Sequence, residues 1–219
     1  MKAALFDLDE TILDRTESLR EFALWQARGM LRNSVLDETE YCKRFVELDM
    51  KGLVWKDTVY TQLIDEFNIT DWSAPELLQN YMLCFSGFCI AKKNAIDSLK
   101  ALAEEGFYLG LVSNGKSPFQ ERNFNALGVS HLFSTVVISD AVGYRKPEKE
   151  IFDLACSSLG VPAEETVFVG DNPDADINGA NICGMYTVFV PGAHGEKCRN
   201  ANATCTDFSN LVRIIKNAI

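Results

Sequence analysis

The sequence predicts an α/β fold: a parallel sheet with helices on both faces, plus an inserted all-helical segment. Two observations lead to this. From Asn94 onward, short apolar runs alternate with helical patterns, as in βαβ units built on a parallel sheet. Before that, residues 15–88 contain helical patterns and little that resembles a strand. An apolar run at the N-terminus must then join the sheet across the insertion.

That first run, Ala3 to Phe6, leads directly into Asp7-Leu8-Asp9-Glu10-Thr11. A short apolar run bounded by polar residues is typical of a buried parallel strand, and open α/β sheets bind ligands at the carboxyl ends of their strands. Asp7 and Asp9 are then carboxylates at a strand tip, where they suit Mg²⁺ or covalent catalysis. This stretch alone leaves an acidic surface turn equally open.

The insertion carries the periodicity of amphipathic helices. Ser73-Ala74-Pro75-Glu76 has the pattern of a helix start, with a Ser cap, an early Pro and a Glu three residues after the Ser. Four helices are predicted, over residues 19–30, 37–48, 57–67 and 74–82. Aromatic and basic residues in this segment are candidates for a substrate pocket, although packing inside the segment explains them better: Trp25, Trp55, Phe45, Arg44, Lys51 and Lys56.

Beyond the insertion, helices and strands follow one another, with Gly106 and Gly128 ending the first two helices. The predicted helices cover residues 95–105, 119–127, 147–159, 175–183 and 208–217. The predicted strands cover residues 108–112, 135–138, 166–169 and 186–190.

Polar residues follow several of these strands. Ser113-Asn114-Gly115 offers a hydroxyl, an amide and a backbone N–H to phosphate oxygens, although the same residues are ordinary in turns. Lys146, just before Pro147, can neutralise a phosphate as a point charge, or can be a solvated surface lysine. Gly170-Asp171 follows another strand, and Asp171 can complete a metal site with Asp7 and Asp9. Asp174 is expected to cap the next helix.

Composition narrows the function classes. The formal net charge of −10 argues against nucleic-acid binding through a basic face. No apolar run approaches the length of a bilayer span, and acidic residues interrupt the only early apolar stretch, so neither a membrane segment nor a signal peptide is expected. Seven scattered cysteines and two histidines do not favour zinc. Free thiols in the cytoplasm are expected, and a monomer or loose homodimer is the default.

The four strand ends together resemble the motifs of the haloacid dehalogenase-like hydrolase superfamily, and specifically of its phosphatase branch. The resemblance spans essentially the whole chain. The matching motifs are Asp7-Leu8-Asp9-Glu10-Thr11, Ser113-Asn114-Gly115, Lys146-Pro147, and Gly170-Asp171 with Asp176. This resemblance implies a Rossmann-like core domain of residues 1–13 and 91–219 and a four-helix cap domain of residues 14–90.

The resemblance also implies roles. Asp7 would be the nucleophile and would become an aspartyl-phosphate. Asp9 would be the general acid and later the base. Mg²⁺ would be held by the Asp7 carboxylate, the Asp9 backbone carbonyl and Asp171. The phosphoryl oxygens would be bound by Ser113, Asn114 and Lys146, with Thr11, Gly115 and Asp176 in support. These roles agree with the chemistry of phosphoryl transfer, which relies on positioned cations and hydrogen-bond donors.

The predicted function is Mg²⁺-dependent hydrolysis of a small phosphorylated metabolite. Asp9 argues against a haloacid dehalogenase, which has no leaving alkoxide to protonate. Thr11 leans away from a phosphomutase, since sugar-phosphate mutases of the family tend to carry valine there. A non-catalytic phospholigand-binding protein stays open. Glu10 departs from the commonest pattern, in which glycine occupies this position, and its purpose is not predicted.

Overall fold

The three-dimensional structure, a computed structural model, describes residues 2–34 and 37–218. Four residues of the two predicted domains lie outside the described residues: Met1, Val35, Leu36 and Ile219. The chain forms two compact units. One consists of Met1–Asp14 with Ala91–Ile219, and the other of Arg15–Ile90. The predicted domain boundary after residue 13 lies one residue from the first of these divisions.

The first unit contains a six-stranded parallel sheet. Its strands are β1 Ala3–Phe6, β2 Tyr108–Ser113, β3 Phe133–Ile138, β4 Thr166–Gly170, β5 Tyr186–Phe189 and β6 Ala203–Thr204. The strand order is β3-β2-β1-β4-β5-β6, and Phe6 of β1 lies opposite Leu111 on one side and Val169 on the other. After β3 the chain therefore returns to the other side of β1. Open α/β sheets bind ligands where the strand order reverses in this way.

Helices cover the sheet and form the second unit. In the described residues they are α1 Arg15–Gly29, α2 Glu38–Asp49, α3 Lys56–Phe67, α4 Ala74–Cys84, α5 Ala95–Glu104, α6 Phe119–Ala126, α7 Ser139–Val142, α8 Lys149–Leu159, α9 Gly179–Ile182 and α10 Leu211–Lys216. Strands β1 and β4 are buried along their whole length, as expected for strands covered on both faces. On one face, Leu5, Val112 and Phe168 share a core with Ile151 and Phe152 of α8. The predicted α/β class is confirmed.

Several details differ from the predicted elements. Helix α8 begins at Lys149 and not at Pro147, because Glu148 has a non-helical ψ of 132° and serves as its N-cap. The predicted helix 175–183 is a π-helix, Pro173–Asn178, followed by the single turn α9. The two-residue strand β6 was not predicted, since nothing in its composition distinguishes it from the polar segment before it.

The second unit has an ionic cluster in its interior. Asp49, at the end of α2, is 1% exposed and accepts hydrogen bonds of 2.7 and 2.8 Å from the Arg15 guanidinium. The Lys56 ammonium and the Gly52 N–H also donate to it. Lys56 lies near the rings of Phe45 and Tyr81, and both Lys56 and Phe45 are buried. Packing within the unit therefore accounts for these two pocket candidates.

This cluster makes the stability of the second unit depend on pH. Burial alone would raise the pKa of Asp49, but Arg15 and Lys56 outweigh burial and lower the pKa from 3.8 to about 2. The unfolded chain therefore takes up a proton near pH 3.8 and the folded unit only near pH 2. Stability that is fully present above about pH 4 is lost as the pH falls towards 2, by about 2 kcal/mol for this one group.

We expect acid unfolding of this unit, followed by the fluorescence of Trp25, Trp55 and Trp72, to be less steep between pH 4 and 2 in the variant Asp49→Asn. The variant should also lose about 3–5 kcal/mol in the free energy of unfolding at neutral pH, because two buried cations lose the negative charge of Asp49. The control Asp65→Asn, which removes an exposed acid of α3, should behave as the wild type. Parallel pH curves for Asp49→Asn and wild type would contradict the assignment.

Two further observations concern membrane-spanning helices and cysteines. In the stretches 2–34 and 37–218, no helix has both the length and the apolar character that crossing a membrane requires. All seven cysteines are free thiols, as predicted.

Candidate active site

Asp7 occupies the tip of β1, between β2 and β4. Its backbone N–H donates to the Val169 carbonyl at 3.0 Å, so the ladder with β4 continues through this residue and fixes its backbone. The residue is 7% exposed. Asp7 therefore lies in a rigid position at the point where the strand order reverses.

Lys146 lies directly against Asp7. Its ammonium is 2.6 Å from Asp7 Oδ1 and 2.7 Å from Asp176 Oδ1, and the residue is 3% exposed. Burial alone would lower the pKa of Lys146, but the charges of Asp176 and Asp7 raise it above the usual lysine value. The lysine is therefore a buried, permanent cation, and the surface interpretation of Lys146 is wrong.

Asp171 follows β4, beside Asp7, and is 2% exposed. Its Oδ2 is 2.7 Å from Nδ1 of His194. Burial raises the pKa of Asp171, while the hydrogen bond from His194 lowers it. Burial likewise raises the pKa of Asp7 well above its usual range; Lys146 opposes this rise, and Asp176 adds to it. The carboxylates are thus held together at a cost that a nearby positive charge reduces.

Asp176 reaches this cluster through the π-helix. A Cβ atom on Gly170 would lie 2.5 Å from Asp176 Cγ, so glycine at the end of β4 makes room for this carboxylate. The Asn172 N–H donates to Asp176 Oδ2 at 3.0 Å, and the Asn172 side chain accepts from the N–H groups of Asp174 and Ala175. Asn172 is therefore the helix cap, and the prediction that Asp174 has this role is wrong.

The Ser113-Asn114-Gly115 turn lies at the end of β2, and its contacts within the protein differ from residue to residue. Asn114 exchanges two hydrogen bonds of 2.9 Å with the backbone of Lys146, so its amide fixes the lysine's main chain. The Gly115 N–H donates to Ser139 Oγ at 3.0 Å and is already used. Ser113 is 1% exposed, and its hydroxyl accepts a hydrogen bond of 3.1 Å from Gln120. Phosphate binding by Ser113 and Asn114 stays a prediction.

Glu10 has a structural partner that the sequence does not reveal. Its carboxylate is 2.7 Å from the Lys92 ammonium, which is also 3.7 Å from Asp14. The Lys92 N–H donates to the Ile12 carbonyl at 2.8 Å. Glu10 thus ties the loop after β1 to the chain that re-enters this unit. The backbone of Glu10 has a φ of +59°, a left-handed conformation that favours glycine.

Comparison with known proteins decides the family. A family profile described as haloacid dehalogenase-like hydrolase matches residues 4–190. The chain belongs to the haloacid dehalogenase-like hydrolases. A glyceraldehyde 3-phosphate phosphatase of Methanopyrus kandleri is 32% identical over 197 residues, which cover 87% of this chain and 84% of that protein. The predicted phosphatase branch of the hydrolase family is confirmed.

Solved structures of haloacid dehalogenase-like hydrolases agree with this fold. A phosphatase of the family from Thermococcus onnurineus is 27% identical, with a TM-score of 0.67 and coverage of 98% of both chains. A protein described as a putative β-phosphoglucomutase from Thermotoga maritima gives a TM-score of 0.77 at 18% identity, with 100% coverage of both chains. The second likeness concerns the fold alone.

The donor set of this hydrolase fits a divalent cation. Asp7, Asp171 and Asp176 each offer a carboxylate oxygen, and these atoms lie within 4.8 Å of one another. Lys146 supplies one positive charge against three buried carboxylates, so the cluster keeps an excess of negative charge. Oxygen ligands with such an excess are what Mg²⁺ requires. The Asp9 carboxylate is not part of this group, and metal binding by the Asp9 backbone carbonyl stays a prediction.

Two residues of the hydrolase's candidate site, His194 and Gln120, are not predicted from the sequence. His194 lies in a polar segment, Gly192 to Ala203, for which the sequence predicts no role. Gln120 is the second residue of α6. It is 3% exposed and lies among polar groups of the site. The folded chain makes space for Gln120 at a glycine: a Cβ atom on Gly115 would lie 2.6 Å from Gln120 Cγ.

Proposed function

We propose that the protein is a Mg²⁺-dependent phosphomonoesterase that hydrolyses a small phosphorylated metabolite through an aspartyl-phosphate. One observation carries the proposal: the buried Asp7 carboxylate, at the strand reversal, contacts the Lys146 ammonium and lies beside Asp171. A carboxylate held next to a fixed cation suits attack on phosphorus, since phosphoryl transfer depends on positioning and on charge stabilisation.

In the first step, an Asp7 carboxylate oxygen attacks phosphorus and forms the acyl-phosphate bond. The bond between phosphorus and the ester oxygen breaks, and the leaving alkoxide takes its proton from Asp9 acting as general acid. Lys146 neutralises charge on the phosphoryl oxygens, and the Ser113 hydroxyl donates to them.

In the second step, a water molecule attacks phosphorus, and Asp9 accepts its proton as general base. The bond between phosphorus and Asp7 breaks, which regenerates the Asp7 carboxylate and releases inorganic phosphate. Asp9 thus ends in the protonated form that the next cycle needs, so the protons balance over one turnover.

Asp7, Asp171 and the backbone carbonyl of Asp9 would hold Mg²⁺, with Asp176 in support. When bound, the cation supplies charge stabilisation to the phosphoryl oxygens and keeps Asp7 ionised. The imidazole of His194 restricts rotation of the Asp171 carboxylate, which is the usual contribution of an outer partner of a metal ligand.

The Arg15–Ile90 unit would serve as a cap that selects the leaving group and excludes water during turnover. Relatives named as glyceraldehyde 3-phosphate phosphatases make a three-carbon phosphate the first substrate to test. A relative of Thermus thermophilus named phosphoserine phosphatase, 40% identical over 85 residues, makes phosphoserine the second. We place the enzyme in the cytoplasm, as a monomer or loose homodimer.

The test is a panel of phosphomonoesters assayed with Mg²⁺, with EDTA, and with Mg²⁺ restored after EDTA. We expect phosphate release with Mg²⁺, loss of at least about 10²-fold with EDTA, and recovery on re-addition. Ranking substrates by kcat/KM identifies the leaving group. Fluoride release from fluoroacetate would instead indicate a dehalogenase, and phosphoryl transfer within a sugar phosphate would indicate a mutase. Ligand binding without any turnover would favour the binding protein.

A further inference from the structure

Gln120 is a buried polar side chain that the mechanism above does not use. It lies at the start of α6, 111 residues along the chain from Asp9. Its amide nitrogen donates to Asp9 Oδ2 at 2.8 Å and to Ser113 Oγ at 3.1 Å. Both N–H groups of one amide therefore have partners, and these partners belong to two different motifs of the site.

The amide nitrogen of Gln120 faces both the Asp9 carboxyl group and the Ser113 hydroxyl. The opposite oxygen, Oε1, accepts from Asn123 Nδ2 at 3.2 Å. Asn123 is itself 1% exposed and lies one turn further along α6. The glutamine is thus held at both ends.

The main chain also accommodates this side chain. Gly115 approaches Gln120 so closely that any larger residue at position 115 would clash with it. The Gly115 N–H already donates to Ser139. What glycine provides at this position is therefore the space that Gln120 occupies.

We propose that Gln120 is a positioning residue that holds the Asp9 carboxylate in place for proton transfer to the leaving group. General acid catalysis needs the donor within hydrogen-bond reach of the leaving oxygen. Asp9 is only partly buried, and the hydrogen bond from Gln120 restrains the orientation of its carboxyl group. The hydrogen bond to Ser113 gives Gln120 a second anchor on β2, so it holds Asp9 at a fixed distance from that strand. This inference rests on the proposed function, because it concerns the role of Asp9.

The leaving group distinguishes positioning of the acid from ordinary structural support. A p-nitrophenolate leaves as a stable anion and needs no proton, whereas an alkoxide does. The ratio kcat/KM reports the steps up to departure of the leaving group, so it isolates the first proton transfer. The variant Gln120→Met keeps the length of the side chain and removes both donors.

We expect Gln120→Met to lower kcat/KM for glyceraldehyde 3-phosphate, or for the best alkyl phosphate of the panel, by about 10- to 100-fold. For p-nitrophenyl phosphate we expect a loss of less than about threefold, because no acid is needed. The reference variant Asp9→Asn should give the same selectivity with a larger loss. The control Asn125→Met, an exposed amide on the same helix, should leave both substrates unchanged.

Equal losses for the two substrates in Gln120→Met, with selective losses in Asp9→Asn, would overturn the inference and leave the proposed function standing. Absence of selectivity in Asp9→Asn itself would overturn both, as would a wild type that hydrolyses neither ester. If thermal unfolding shows that Gln120→Met does not fold, Asn123→Leu removes the donor that anchors Gln120 Oε1. It should give a smaller loss with the same preference, and equal losses there would also overturn the inference.

Discussion

Replacing Asp7 by asparagine should abolish phosphate release from every ester that the wild type hydrolyses, by about 10⁴-fold or more in kcat. The asparagine amide has the size of the carboxylate, and its oxygen can still accept from Lys146. It has no charged oxygen with which to attack phosphorus. The loss therefore comes from the chemistry and not from a change of shape.

The same variant should be at least as stable as the wild type when no divalent cation is present. Asp7 is buried beside Asp171 and Asp176, and Lys146 supplies one positive charge against these three carboxylates. Removing the negative charge of Asp7 therefore relieves repulsion among the carboxylates. Sites arranged for catalysis commonly cost stability in this way. We expect the midpoint of thermal unfolding in EDTA to be unchanged or higher, and the stabilisation by added Mg²⁺ to be smaller than in the wild type.

The matched control is Asp174→Asn, which removes an exposed acid from the same end of the sheet. It should keep both the activity and the response to Mg²⁺. Turnover in Asp7→Asn within about tenfold of the wild type would refute the assignment of the nucleophile. Mass spectrometry after rapid quenching provides an independent readout: a phosphorylated peptide containing residue 7 should appear in the wild type and not in the variant.

Much of the fold could be predicted because its signals are local. A short apolar run that ends in a polar group is visible within a few residues, as in Ala3–Phe6 followed by Asp7. The parallel sheet then requires that such ends share one edge, which is why Asp171, directly after β4, lies close to Asp7. The boundaries of helices were less accurate: α8 begins two residues later than predicted because its N-cap is Glu148.

The remaining contacts depend on tertiary structure that no local pattern specifies. Gln120 and Asp9 are far apart in sequence, and a glutamine on a short helix ordinarily indicates a solvated face. His194 lies in a segment without periodicity, and it contacts Asp171 on the other side of β5 in the chain. Glu10 acquires its role from Lys92, on the far side of the helical insertion. Polar contacts between segments that are far apart in sequence can be identified only from the folded structure.

Replacing Lys146 by methionine should have the largest effect on stability of any single change in the site. The ammonium lies 2.6 Å from Asp7 and 2.7 Å from Asp176, and all three groups are buried. Removing one member of a buried ionic cluster leaves the others uncompensated. We expect a loss of about 3–5 kcal/mol in the free energy of unfolding in the absence of divalent cations.

Magnesium should partly reverse this loss, because the cation binds the carboxylates that the lysine no longer neutralises. The increase in unfolding midpoint on adding Mg²⁺ should therefore be larger for Lys146→Met than for the wild type. Activity should not recover with it. Without the ammonium the phosphoryl oxygens lose a fixed cation, and kcat/KM should stay about 10²- to 10³-fold below the wild type at saturating Mg²⁺.

Two further variants separate charge balance from packing. Lys149→Met removes an exposed lysine that pairs with Asp153, and it should change stability by less than about 1 kcal/mol. In the double variant Asp7→Asn with Lys146→Met, one negative charge is removed together with the positive one, so part of the lost stability should return while activity stays absent. The coupling free energy from this cycle should be at least about 1 kcal/mol. If the two single changes add without coupling, the ion pair between Lys146 and Asp7 does not stabilise the site, and the electrostatic account of the buried cluster is wrong.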